Sequence, residues 1–219
     1  LPPLEEQRQI AQVLQAAELT RVAFMNLREQ VLSQRDALSE QQIWQGCPPI
    51  GIHGLPTDWP SPSGWTISCL GKVVNFRGGS QPPKSTFVFE PTPGYVRLIQ
   101  VRDFKTDEYA TYIPEELAKR PCKADDILIG RYGTPFFQIC RGLEGSYNVA
   151  LIRAEPDEGL LDREYLYHFL RQKRLHDLLL HLGTRTAQEG IEMDILESYP
   201  IPLPPMPQQQ EIALSLIHI

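Results

Sequence analysis

Leu1-Pro-Pro-Leu-Glu-Glu-Gln-Arg-Gln-Ile-Ala11 opens the chain, and Leu203-Pro-Pro-Met-Pro-Gln-Gln-Gln-Glu-Ile-Ala213 repeats it, with six of eleven positions identical at an offset of 202 residues. A fixed offset implies one structural unit used more than once. This offset is far longer than the ~20–50 residues of a solenoid repeat, so the unit is domain-sized. The chain therefore reads as one period of something larger. Its ends agree with that reading: there is no initiating Met, and Leu214-Ser-Leu-Ile-His-Ile219 matches the translation of a transposon-end sequencing adapter. The expectation is that these six residues stand outside the fold, as a cloning scar would. The alternative is an apolar helix that simply continues past Ile212.

The first copy of the phrase opens a long helical pattern. Positions 10, 13, 17, 20, 24, 27, 31, 34 and 38 read Ile, Val, Ala, Thr, Phe, Leu, Val, Gln and Leu, so seven of nine are apolar at 3,4 spacing. That is a heptad seam over four repeats. No Gly or Pro interrupts residues 4 to 45, and Glu5-Glu6 lie where acidic side chains favour a helix N-terminus. Such a rod would be about 57 Å long at ~1.5 Å per residue, longer than a small domain is wide. Its seam needs a partner, and a second helix of the same kind fits better than the local domain.

Residues 1–44 are thus assigned to the helix and 45–63 to a linker carrying Pro48, Pro49, Pro56, Pro60 and Pro62. A domain follows over 64–202. Its segments Val73–Phe76, Thr86–Phe89, Tyr95–Val101, Asp126–Tyr132, Phe136–Arg141 and Asn148–Ala154 are short and rich in β-branched or aromatic residues, with Gly and Pro between them. Helical periodicity returns over Asp162–Leu182, where Leu166, Phe169, Leu170, Leu175, Leu178, Leu179 and Leu182 form a stripe, and again over Ile191–Glu197. The predicted fold class is α+β: a long coiled-coil-type helix followed by a mixed α/β domain, with a second helix of the first kind starting at 203–213 and the adapter-like segment at 214–219.

Composition is that of a globular protein: 42% hydrophobic, 22% charged, with no apolar run near the ~20 residues of a membrane span. The default compartment is the cytoplasm. Cys47, Cys69, Cys122 and Cys140 show no CxxC or CxxxH spacing, so neither zinc nor a disulfide framework is suggested, and no cofactor is called for. A net charge of −6 argues at first against nucleic acid, yet the charge is segregated. Gly64 to Lys105 holds six basic residues (Lys72, Arg77, Lys84, Arg97, Arg102, Lys105) against two acidic ones, whereas Thr106 to Leu128 is net −3. Such segregation permits a basic face on an acidic protein.

The order Gly64-Trp65, Leu70-Gly71-Lys72-Val73, Gly78-Gly79-Ser80, Tyr95-Val-Arg-Leu-Ile-Gln-Val-Arg102, Asp125-Asp-Ile-Leu-Ile-Gly-Arg-Tyr-Gly133, Gly183-Thr-Arg-Thr-Ala-Gln-Glu-Gly190 and Ile201-Pro-Leu-Pro-Pro205 resembles a target recognition domain of a type I restriction-modification specificity subunit. The Leu-Pro-Pro-Leu-Glu-Glu-Gln-Arg-Gln-Ile helix resembles that family's conserved helical region. Each motif is weak alone; their order, with the flanking repeat, is fairly specific and covers nearly the whole chain. The resemblance implies a non-catalytic subunit that reads one half of a bipartite site in double-stranded DNA. It also implies partners, namely methyltransferase (M) and restriction (R) subunits, and a pairing of two long helices as a spacer.

Bases are read by side chains that donate or accept on base edges, while Lys and Arg position the protein on phosphates. The candidate DNA-binding residues are Lys84, Arg97, Gln100 and Arg102 in the basic segment, Arg131, Tyr132 and Thr134 after the Asp126–Gly130 strand, and Arg185 with Gln188. Each also has a bland reading as solvated surface or a structural cap. Gly78, Gly79 and Gly133 read as turn residues, because Gly78-Gly79-Ser80 lacks the GxxxxGK[ST] of a phosphate-binding loop. An enzyme would need Cys122 or Cys140 with His168, or the pairs Asp125-Asp126 or Glu115-Glu116, and none has a surrounding signature. The Asn/Asp-Pro-Pro-Tyr motif of adenine methyltransferases is absent. A coiled-coil interaction module without DNA specificity is the alternative that heptads alone would equally support.

Overall fold

The structure is a computed structural model, and it describes residues 3–44, 62–132, 136–183 and 191–217. In chain order the elements are α1 (Leu4–Trp44), β1 (Thr66–Cys69), α2 (Leu70–Val73), β2 (Val74–Gly78), β3 (Tyr95–Ile99), β4 (Tyr112–Pro114), β5 (Pro121–Cys122) and β6 (Ile127–Gly130). They continue with β7 (Ile139–Cys140), β8 (Gly145–Tyr147), β9 (Leu151–Pro156), α3 (Arg163–Leu170), α4 (Lys173–Gly183), α5 (Met193–Ser198), β10 (Pro200–Leu203) and α6 (Met206–Ile217). The linker predicted for 45–63 lies outside the described residues as far as Ser61.

The helix expected from the heptads is there, 41 residues from Leu4 to Trp44. Along most of its length the seam touches nothing: Val13, Phe24 and Leu27 are 68%, 66% and 56% exposed. Only its C-terminal end is built into the domain. Ile43 and Trp44 are fully buried, the Trp44 indole NH donates to Gln172 Oε1 at 2.6 Å, and Arg174 pairs with Glu40 at 3.0 Å.

Three small sheets make the α+β domain. β1 pairs with β10, β2-β9-β6-β7 form one four-stranded sheet, and β4-β3-β8-β5 form another. Every pairing is antiparallel except β3 with β8. The β1–β10 ladder sets Thr66 opposite Leu203, so the chain enters and leaves the domain side by side. At that seam Trp65 donates to Gln208 Oε1 at 3.0 Å. The main core joins Leu70, Ile127, Ile129, Ile152, Tyr165, Phe169, Leu170 and Ile201 to Trp44.

Several sequence expectations shift in detail. The stripe over Asp162–Leu182 is two helices rather than one: the Gln172 amide closes on the Phe169 carbonyl, and the Gln172 carbonyl then accepts from His176 to start α4. The Gln172 side chain, held by Trp44 and Ser39, fixes the break. Thr86–Phe89 is no strand; Lys84–Thr86 is a 3-10 turn, and Val88 makes a single bridge to Tyr112. Phe136–Arg141 contracts to β7, because Phe137 adopts φ +53° with its ring 97% buried. β1, β4, β5 and β8 are two to four residues long, too short for alternation to show.

The second copy of the phrase forms the start of α6. Ile212 and Ala213 are buried against the domain, and Gln209 makes three hydrogen bonds inside it. The helix runs on through Leu214 to Ile217, with Leu216 buried and Ser215 Oγ donating to Gln42 Oε1 at 2.8 Å.

Candidate nucleic-acid interface

Strand directions bring several loops to one edge of the domain. β2 and β6 both run antiparallel to β9, so their C-terminal ends, Gly78 and Gly130, lie against Ile152 and Leu151 at its start. β3 runs parallel to β8, so Ile99 ends beside Tyr147, and the turn Asn148–Ala150 joins the two sheets. Backbone bonds stitch these ends together: Gly79 N to Leu151 O at 3.0 Å, Ser80 N to Tyr147 O at 3.1 Å, Asn148 N to Ile99 O at 3.0 Å, and Arg131 N to Ala150 O at 2.8 Å. Gly79 is required by this closeness, because a Cβ there would stand 1.9 Å from the Asn148 carbonyl oxygen. The Gly-Gly-Ser turn is thus a backbone contact point, in line with its reading as turn rather than phosphate cradle.

The residues projecting from this edge include four of the sequence candidates. Lys84 is exposed on the 3-10 turn after Pro82-Pro83. Arg102, its side chain 51% exposed, lies over the Tyr109 ring with the guanidinium carbon 5.5 Å from the centroid. Arg131 lies over Tyr132 at 5.2 Å, and Tyr132 is 41% exposed. Each Arg–Tyr pair offers a planar fork of donors held by an aromatic face, the geometry that suits the O6/N7 edge of guanine or a phosphate. Tyr109 escaped the sequence reading because its partner is seven residues away along an irregular loop, with no periodic signal.

Two other candidates have work inside the protein. Arg97 is 16% exposed, with Nη2 2.7 Å from Asp107 and Nε 3.7 Å from Asp103. Gln100 donates from its side chain to Thr111 Oγ1 at 3.1 Å, while its backbone NH donates to Asp103 Oδ2 at 3.0 Å. Burial raises the Asp103 carboxyl above its usual range, and the Gln100 amide and the Arg97 and Arg102 guanidiniums oppose that. This buried carboxylate holds both arginines and so sets the aim of the Arg102 loop. Thr134, Arg185 and Gln188 lie outside the described residues.

The chemistry an enzyme would need is not assembled. Burial pushes the Cys122 and Cys140 thiols up to about 12, the reverse of an activated nucleophile. Asp125 and Asp126 both pair with Arg163, at 2.9 and 3.3 Å. Among the described residues no group of three or more His, Cys, Asp or Glu could hold a metal ion, and no helix is long and apolar enough to cross a membrane.

Comparison with known proteins agrees with this geometry. The profile of the type I restriction modification DNA specificity domain matches residues 62–216. Two curated relatives come from Methanocaldococcus jannaschii: the type I restriction enzyme MjaVIII specificity subunit, 24% identical over 165 residues, and the putative MjaX specificity subunit, 26% identical over 232 residues. The matches cover 74% and 99% of this chain but only 36% and 51% of those proteins, so the chain spans about a third to a half of their length. Among solved structures, the HsdS subunit from Thermoanaerobacter tengcongensis is similar with a TM-score of 0.59 at 23% identity, over the whole of this chain and 51% of that one. The S subunit of a type I restriction-modification system from M. genitalium gives 0.61 at 15% identity, covering 98% of this chain and 55% of that one.

Proposed function

Because the chain belongs to the type I restriction modification DNA specificity domain family, we propose that it reads one half of a bipartite site in double-stranded DNA and directs methyltransferase (M) and restriction (R) subunits there from the cytoplasm. The observation that carries this reading is the single edge on which the ends of β2, β3 and β6 converge, presenting Lys84, Arg102 with Tyr109, and Arg131 with Tyr132. Arg102, Arg131 and Tyr132 read bases, with Thr134, Arg185 and Gln188 from the neighbouring segments; Lys84 contacts phosphate. Arg97 and Gln100 act behind them as positioning residues through Asp103 and Thr111. The chain itself is not catalytic, and α1 serves as a spacer whose exposed heptad seam takes a second long helix. Residues 1–44 are this spacer, 64–202 the recognition domain, and 203–213 the onset of the next helix.

The test is methylation mapping in a host carrying the intact locus and in one carrying Arg131→Ala. The expected result is a bipartite methylated motif that loses preference at one or two adjacent positions of one half. A motif unchanged in Arg131→Ala, Arg102→Ala and Tyr132→Ala hosts alike would overturn the base-reading assignment. If deleting the locus removed no bipartite motif, the chain would be an interaction module without DNA specificity.

A further inference from the structure

Where α1 meets the domain, basic side chains gather without enough acid to balance them. Arg35, Arg141, Lys173 and Arg174 each have a carboxylate: Asp36 at 2.9 Å, Glu164 at 2.6 Å, Asp177, and Glu40 at 3.0 Å. Arg171, at the α3–α4 break, has no ion-pair partner among the described residues. Its guanidinium lies 5.0 Å from the centroid of Tyr167, and that of Arg141 lies 3.8 Å from the same ring. Burial and the nearby Arg35 and Arg141 charges disfavour its cationic form, so Arg171 is a charge in want of a counter-charge.

A second observation points to what would supply it. His168, one turn back on α3, is 93% buried, and its Nε2 has no hydrogen-bond partner among the described residues. Burial first, then Arg171, lowers its pKa to about 4, so the ring is a neutral donor near pH 7. His168 and Arg171 share with Arg35 and Ser39 a narrow throat of about 10 Å³, room for one oxygen-sized group. Next to it, Arg35, Arg171, Lys173 and His176 line an open cleft of about 260 Å³, bounded by Phe137 and Ile139 at the foot of the β6–β7 loop that carries Arg131 and Tyr132. The larger cleft of about 830 Å³ around Arg153 and Arg163 differs, because both of its central arginines are paired with Asp126.

We propose that Arg171, Arg35 and the His168 Nε2 form an oxyanion site for one phosphate-type group in the crevice between α1 and the α3–α4 break. Arg171 and Arg35 supply charge and His168 supplies a buried donor, the combination that binds a tetrahedral oxyanion. The anion is either free phosphate or a phosphodiester of bound duplex; the second source rests on the DNA-reading function. In that case the contact lies on the helix side of the β6–β7 loop, away from base edges, and adds affinity without sequence preference.

The test uses the full chain with inorganic phosphate, and with duplexes of cognate and random sequence. Phosphate, against chloride at matched ionic strength, should raise the melting temperature by about 3–5 °C at roughly ten times its Kd. Arg171→Gln should abolish that rise, Arg171→Lys should keep part of it, and Arg28→Gln on the exposed stretch of α1 should keep all of it. On DNA, Arg171→Gln should lower the slope of log affinity against log salt by about one, equally for both duplexes, if the source is a phosphodiester. A phosphate response with an unchanged slope supports the site with free anion as its ligand. Wild-type protein that binds no duplex yet responds to phosphate would overturn the DNA reading and leave the site standing. No phosphate response in wild type, together with an unchanged slope in Arg171→Gln, overturns the site.

Discussion

Replacing Gln209 by Ala should cost the fold far more than replacing its neighbour Gln210. The Gln209 side chain is 99% buried and spends both ends on backbone: Oε1 accepts from Asp162 N at 2.8 Å, and Nε2 donates to Leu160 O and Pro204 O, each at 2.9 Å. Asp162 is also the cap of α3, its carboxylate accepting from Tyr165 N at 2.9 Å. One glutamine therefore ties α6 to the start of α3 and to the end of β10. Its loss removes three buried hydrogen bonds and leaves one amide and two carbonyls dry, each worth ~0.5–1.5 kcal/mol, so about 2–4 kcal/mol in all. For a chain of this size that is a drop of roughly 5–15 °C in melting temperature. Urea unfolding followed by circular dichroism measures it, with Gln210→Ala, exposed on the same turn, as the control at under ~0.5 kcal/mol. A Gln209→Ala loss below ~1 kcal/mol, or an equal loss in Gln210→Ala, would refute the reasoning.

Acid should weaken the fold through His168. The ring takes its proton near pH 6.5 when unfolded but only near 4 when folded, so the unfolded chain binds more protons between these values and stability falls as pH drops through that window. His168→Asn should flatten this part of the pH profile by up to about 2–3 kcal/mol, and an unchanged profile would show that the imidazole is not buried as described. Gly79→Ala should destabilise by at least ~2 kcal/mol, since its Cβ would meet the Asn148 carbonyl at 1.9 Å; thermal melts showing a loss under ~0.5 kcal/mol would mean the two strand ends part easily. Trp44→Ala should cost about 3–5 kcal/mol and loosen α1 from the domain, read as faster amide exchange in Gln172 and Ser39. Exchange confined to α1 alone would contradict the indole's role in joining them.

Much of this protein was legible in its residues because the signals are local. Heptad spacing, the absence of Gly and Pro from 4 to 45, and the repeated Leu-Pro-Pro phrase determined the long helix, the domain between its two beginnings and the α+β class. Local signals cannot report what a distant segment supplies. The break at Gln172 depends on Trp44, 128 residues away, and the burial of Gln209 depends on Asp162. The same holds for the candidate interface. Residue type and charge singled out Lys84, Arg102, Arg131 and Tyr132, but equally Arg97 and Gln100, whose neighbours Asp103, Asp107 and Thr111 engage them. Tyr109 and the uncompensated Arg171 had no sequence signature at all. By itself the sequence determined which segments are helix, linker and domain, since periodicity and backbone propensity are properties of neighbouring residues. Only the tertiary structure decided which charges stay free to meet a ligand, because a charge is neutralised by whatever the fold brings within a few ångströms of it.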